Sequence, residues 1–313
     1  MNYAVIFPGQ GAQRPGMGQA FKDKYSVCAR VFEEADEALG FKLSDIIFAG
    51  TAEDLAKTAV TQPAILTTSI AIYKAVEEEV GAISPLCMAG HSLGEYTALV
   101  ASGVISLSDG VRLVHLRGKL MQEAVPLGVG NMLAVIGLQL DKVMAVCKQA
   151  EQGGVCAAAN VNQPEQIVIS GHTEAVARAE KIISEMHGAR VVPLRVSAPF
   201  HCSLMRPVAE RLKEAFESIS WQAPKCPIVS NAEAKLLETV DEICRALYEQ
   251  TFSPVLWVQD VLKMQEFGVE HYIEMGPGSV LSGLVRKILK GNRPSPISTP
   301  EDIAAAVEII GAK

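Results

Sequence analysis

Residues Gly90-His91-Ser92-Leu93-Gly94 form a G-x-S-x-G pentapeptide between an apolar run, Leu86 to Ala89, and a helical stretch, Glu95 to Ser102. In that context the pentapeptide reads as a nucleophile elbow, a strand that turns sharply into a helix. A serine hydroxyl is a poor nucleophile until a base takes its proton and donors stabilise the oxyanion it creates. The turn serves both needs, because it lifts Ser92 Oγ clear of the backbone and aims the Leu93 N–H at the reacting carbonyl. Side chains at positions 90 and 94 would crowd such a turn. The pentapeptide alone also fits a merely structural turn in a chain with 25 glycines.

The surrounding pattern alternates strands with helices. Tyr3 to Phe7 reads as a buried strand that ends in the glycine-rich loop Pro8 to Gln13. The spacing does not support a dinucleotide cradle there, because the third glycine of G-x-G-x-x-G would fall on Arg14, and a tight loop that lets the chain leave the sheet is the plainer reading. A helix is expected over Pro63 to Val80, with proline in the first turn and Thr61 or Gln62 near the cap. Further helices are expected over Leu107 to Ala124 and Val280 to Leu289, the latter following a strand at His271 to Met275 and the turn Gly276-Pro277-Gly278. This order implies a mostly parallel α/β sheet.

Between Asn131 and Val196 the rhythm changes to βαββαβ. Strands are expected at Met132–Gly137, Val155–Ala159, Gln166–Ser170 and Arg190–Val196, with helices at Asp141–Gln149 and Glu174–Met186. That is the ferredoxin-like order, which closes on itself as a small unit. The expected organisation is a discontinuous large domain, residues 1–127 and 197–313, with an inserted small domain at 128–196. A cleft between the two would suit a substrate.

Composition narrows the function classes. Net charge is −7, with two tryptophans and six tyrosines, so neither nonspecific nucleic-acid binding nor an aromatic base platform is expected. Seven cysteines form no C-x-x-C pair, and no metal-ligand spacing occurs. Reduced, mostly buried thiols suit a cytoplasmic protein. Met1 to Pro8 lacks the basic segment of a signal peptide, and no apolar run could span a bilayer.

Six histidines compete to be the base for Ser92. His91 adjoins it but should point elsewhere on a tight turn, and His115, His172, His187 and His271 occupy structural positions. His201, in Ala198-Pro199-Phe200-His201-Cys202, lies where the chain returns from the small unit, a loop position of the kind where catalytic residues concentrate. Position alone leaves a structural role open. Cys202 reads as a buried thiol, not a nucleophile.

Several further motifs recur in a fixed order: Phe7 to Gln13, Thr61-Gln62-Pro63-Ala64, Gly90 to Tyr96, Leu116-Arg117-Gly118 with Met121-Gln122, Asn160-Val161-Asn162, His201, and Glu274 to Gly278. Together they resemble the malonyl-CoA:acyl carrier protein transacylases of fatty-acid synthesis and the acyltransferase domains of polyketide synthases. The resemblance implies an α/β-hydrolase-like core with a parallel sheet and a ferredoxin-like insertion.

It also implies roles for individual residues. Ser92 would form the malonyl ester, and His201 would act as general base, held by the backbone carbonyl of Gln250 in place of an acidic partner. The oxyanion hole would use the N–H groups of Gln10 and Leu93, and Arg117 would clamp the free malonyl carboxylate. Gln62 and Asn162 would line the cleft. Phe200, a serine in many stand-alone relatives, would fill the space an α-methyl branch needs.

The function so implied is transfer of malonyl from malonyl-CoA to the phosphopantetheine thiol of an acyl carrier protein, with no metal or other cofactor. A monomer is expected. A trans-acting polyketide acyltransferase, or a serine acyl hydrolase or thioesterase, are the alternatives. Because carrier proteins of these pathways are acidic, docking would need a local basic patch. Arg286-Lys287-Lys290-Arg293 is the densest, and it equally fits a helix end whose cations complement the macrodipole.

Overall fold

The computed structural model describes residues 1–126, 128–194 and 198–311. In chain order its strands are β1 (Tyr3–Phe7), β2 (Cys87–Gly90), β3 (Gly130–Ile136), β4 (Cys156–Gln163), β5 (Gln166–His172), β6 (Arg190–Pro193), β7 (Ile228–Val229), β8 (Leu236–Leu237), β9 (His271–Met275) and β10 (Ser295–Ile297). They form a six-stranded sheet, β10-β9-β1-β2-β7-β8, and a four-stranded sheet, β4-β5-β3-β6.

The large sheet is parallel except for the β7–β8 hairpin. Strand β1 is buried throughout, as a central parallel strand covered on both faces must be. Its side chains alternate between two cores. Tyr3, Val5 and Phe7 face the larger one, whereas Ala4 and Ile6 pack with Trp257, Tyr272 and Val285 on the other side. In the small sheet β3 is antiparallel to both β5 and β6, and β4 to β5, with helices Leu140–Ala150 and Thr173–Ser184 packed on its core. This is the ferredoxin-like arrangement. Residue 127, residues 195–196 at the expected end of the last small-sheet strand, and residue 197 of the return linker lie outside the described residues.

One helix departs from expectation. It begins at Thr58, so Pro63 lies inside the helix Thr58–Val80, and Thr61 and Gln62 are helical residues, not caps. A proline within a helix leaves the carbonyl four residues earlier without its N–H donor. Here that carbonyl belongs to Ala59, and His115 Nδ1 donates to it at 2.8 Å. A partner from the neighbouring helix thus replaces the lost bond, which gives His115 its structural role.

That neighbouring helix, Leu107–Glu123, approaches very closely. A Cβ on Gly118 would lie 2.5 Å from the Thr58 carbonyl oxygen, so only glycine permits the contact. The adjacent residues Arg117 and Gln62 are thereby brought to one cavity.

Candidate active site

The site lies at the carboxyl ends of the parallel strands, where open α/β sheets place their ligands. Strand β2 leads into His91-Ser92 and the helix Leu93–Ala101. Ser92 has φ 52° and ψ −99°, a backbone conformation that costs energy for a residue with a side chain. A Cβ on Gly90 would fall 2.0 Å from the Gly94 carbonyl, which shows how tightly the turn is wound. His201 is also at positive φ, 57°.

Ser92 Oγ and His201 Nε2 are 2.7 Å apart. His201 Nδ1 donates to the backbone carbonyl of Gln250 at 2.9 Å, which leaves Nε2 as the lone-pair nitrogen toward the serine. Burial, then the nearby Arg117 charge, push the imidazole from its ordinary 6.5 down to about 3, so it is neutral and able to accept a proton.

Arg117 is buried at 1% exposure and belongs to no solvated helix face. Its Nη1 donates to Gln62 Oε1 at 2.9 Å, and its Nη2 donates to Ser92 Oγ at 3.1 Å and to Gln250 Oε1 at 2.9 Å. The guanidinium stands 5.1 Å over the Tyr96 ring, and its Nε has no partner among the described residues. A desolvated cation with an unused donor is a natural receptor for a small carboxylate.

A cavity of about 120 Å³ opens on these groups. Gln10, Gln62, His91, Ser92, Leu93, Arg117, Phe200 and His201 all line it. The backbone N–H groups of Gln10 and Leu93 make no hydrogen bond within the described residues. Met121, Met132 and Leu194 complete an apolar wall beside Phe200.

Of the two residues expected to line the cleft on resemblance, Gln62 does and Asn162 does not. Asn160 stands at the cavity instead; Asn162 Oδ1 binds His91 Nε2 at 2.8 Å. Register shifts in β4 between Ala158 and Asn160 and between Val161 and Gln163 break the simple alternation of faces. This bond from His91 ties the elbow to the small sheet.

Beneath the elbow lies a buried polar group that sequence reasoning missed. Glu95, Asn231 and Asp260 are each at most 1% exposed and are linked by hydrogen bonds. Glu95 Oε2 also accepts from Gln250 Nε2 at 2.9 Å. Burial raises the Glu95 carboxyl from 4.5 to about 7, and burial with the neighbouring Glu95 charge raises Asp260 well above its usual range. Only the G-x-S-x-G-E run hinted at Glu95.

Cys202 is buried, its thiol donating to the Pro199 carbonyl at 3.2 Å and pushed up in pKa by burial, as a structural cysteine should be. Glu274 accepts from the N–H groups of Leu281 and Ser282 at 3.0 and 2.7 Å, which caps the helix Val280–Ile288. Arg286, Lys287, Lys290 and Arg293 at the far end of that helix are exposed.

A serine on a strained elbow, a neutral histidine within hydrogen-bond reach of it and a buried guanidinium beside both, at the carboxyl edge of an α/β sheet, fit an acyl-transferring enzyme. Residues 4–308 match the acyl transferase domain family, and the chain belongs to it. It is 44% identical over 307 residues to the malonyl CoA-acyl carrier protein transacylase of Escherichia coli K12, covering 98% of this chain and 99% of that one. The Bacillus subtilis protein of the same name is 43% identical over 308 residues, covering 98% and 96%.

Solved structures agree. An acyl carrier protein S-malonyltransferase from Vibrio cholerae superposes with a TM-score of 0.95 at 41% identity, covering 98% of this chain and 100% of that one. A malonyl-transacylase in complex with a type II polyketide acyl-carrier protein gives 0.95 at 41% identity, covering 99% and 100%. Among the described residues no helix is long and apolar enough to cross a membrane.

Proposed function

We infer that the chain is a malonyl-CoA:acyl carrier protein S-malonyltransferase working through a malonyl ester on Ser92. The observation that carries this is Arg117, whose Nη2 donates to the same hydroxyl that His201 Nε2 contacts. Ser92 Oγ attacks the thioester carbonyl while Nε2 takes its proton. The Gln10 and Leu93 N–H groups receive the oxyanion, and Arg117 receives the free carboxylate. Collapse expels the coenzyme A thiolate, which takes the proton back from His201. The carrier's phosphopantetheine thiol then gives its proton to His201 and attacks the ester, and Ser92 is reprotonated as it leaves.

The chemistry calls for no resident metal or cofactor. Residues 128–196 form an inserted domain on the catalytic domain of 1–127 and 197–313, and the enzyme works as a cytoplasmic monomer. A serine hydrolase would share Ser92 and His201 but would gain nothing from a buried cation beside the nucleophile. The test is to mix the protein with malonyl-CoA, with and without phosphopantetheinylated carrier protein. The peptide containing Ser92 should gain a malonyl mass without carrier and lose it to the carrier thiol when carrier is added. An adduct that persists in Ser92→Ala, or that passes to water as fast as to carrier, would refute the assignment.

A further inference from the structure

Asn231 lies two residues beyond β7 and is fully buried, yet every polar group it has is engaged. Its Oδ1 accepts from the Ser92 backbone N–H at 2.7 Å. Its Nδ2 donates to the Gly90 carbonyl at 2.8 Å and to Asp260 Oδ2 at 2.9 Å. Its own backbone N–H donates to Glu95 Oε2 at 3.0 Å, and its carbonyl accepts from Leu256 N at 2.9 Å. Only one amide orientation works. Turned over, Nδ2 would face the Ser92 N–H, and Oδ1 would face the Gly90 carbonyl.

The side chain therefore grips the elbow twice, at the carbonyl that enters the turn and at the N–H of the nucleophile. Gln250 Nε2 holds the other side of Ser92, donating to its carbonyl at 2.9 Å and to Glu95 Oε2 at 2.9 Å. Both peptide groups flanking the Ser92 Cα are thus fixed, and with them the direction of the Cβ–Oγ arm. A strained backbone persists only where its surroundings over-determine it. Asn231 itself is not among the residues lining the cavity.

We propose that Asn231 is the positioning residue of the elbow. By holding the Ser92 N–H and the Gly90 carbonyl, it sets where Oγ stands relative to His201 Nε2 and leaves the Leu93 N–H for the cavity, without touching substrate. The proposal rests on Ser92 being the nucleophile, so its test uses a fluorophosphonate, which labels an activated serine whatever the natural substrate is. Labelling rates by intact-protein mass would be compared for the unsubstituted chain, Asn231→Ala and Asn231→Asp across pH.

Asn231→Ala should label about 10²-fold more slowly, the scale of loss when a reacting group is misplaced by about 1 Å. In malonyl transfer it should lower kcat while KM for malonyl-CoA changes by less than about threefold. Asn231→Asp keeps the acceptor for the Ser92 N–H but needs a proton to keep the donor toward Gly90. The Glu95 and Asp260 carboxyls face that position, with Glu233 and Arg117 acting on Glu95 from beyond it. Its rate relative to the unsubstituted chain should therefore approach recovery at low pH and fall as pH rises. Labelling of a folded Asn231→Ala within about threefold of the unsubstituted rate would overturn the proposal. A pH-independent Asn231→Asp ratio would do the same, and that variant decides the matter if Asn231→Ala does not fold. Failure of the unsubstituted chain to label would instead remove Ser92 as nucleophile, and this inference with it.

Discussion

Arg117 donates to the hydroxyl of Ser92 at 3.1 Å. The guanidinium is shared between Ser92, Gln62 and Gln250, and its Nε has no partner among the described residues. Under the proposed function, a malonyl carboxylate would take that donor and balance the charge.

Removing that cation should act on the donor's chemistry and not on the chain's stability alone. Arg117→Ala leaves a malonyl carboxylate buried without a partner, which should cost about 3–5 kcal/mol in acylation. Acetyl-CoA, lacking the carboxylate, should lose little. Rapid-quench acylation of Ser92 with both donors checks this, and equal losses would mean that the arginine is structural.

The pH profile should move with the same substitution. With His201 held near 3 by burial and by Arg117, acylation should show no acid limb near the ordinary imidazole value of 6.5. Taking away the positive charge makes the imidazolium easier to form. In Arg117→Gln the acid limb of fluorophosphonate labelling should therefore shift to higher pH, and a shift to lower pH would contradict the electrostatic account.

Stability should fall as the Glu95 carboxyl ionises. Its pKa in the folded chain, about 7, exceeds the ordinary 4.5, so the folded state binds more protons between those values. Its contribution is complete below the lower value and is lost as pH rises through the upper one, at about 1.4 kcal/mol per unit of difference. Glu95→Gln keeps an acceptor for Asn231 and Gln250 and removes the titration. Urea melts from about pH 4.5 to 7.5 should show a shallower decline for the variant; an unchanged slope would place the effect elsewhere.

Phe200 stands in the cavity wall with Met121 and Met132. Phe200→Ser should raise methylmalonyl transfer relative to malonyl by a modest factor, since one methyl in a pocket is worth about 1–3 kcal/mol. Competition between the two coenzyme A esters measures the ratio. A constant ratio would show that this ring does not set the acyl size.

Docking of the carrier should depend on the exposed cations at and just beyond the end of the Glu274-capped helix. Reversing Lys287 and Lys290 to glutamate should raise KM for carrier protein and flatten its salt dependence, with loading of Ser92 unaltered. If loading weakens equally, these lysines serve the coenzyme's phosphates; if neither changes, they only complement the helix end.

The large sheet, the small βαββαβ unit and the elbow were legible because each rests on local periodicity or on a glycine-bounded turn. Arg117 and Gln250 were legible only through resemblance, since nothing local distinguishes a buried arginine from a solvated one on a helix with polar neighbours. Asn231 and Asp260 left no signal. Asn231 follows a strand of two residues and meets Ser92 across 139 positions, a contact that no window along the chain can contain. Asn162 was misplaced because bulges in β4 shift which side chains face the cavity, and Pro63 because its missing bond is repaired by a residue 52 positions later, from His115 to the Ala59 carbonyl 56 positions before it.

The groups that make Ser92 reactive are distributed very unevenly along the chain. The elbow is complete by residue 101, but its base comes 109 positions after the serine, the amide that grips its N–H 139 positions after, and the side chain that holds its carbonyl 158 positions after. If Ser92 is the nucleophile, the elbow is therefore synthesised before the residues that orient it, and its geometry is completed only once His201, Asn231 and Gln250 have folded back against it.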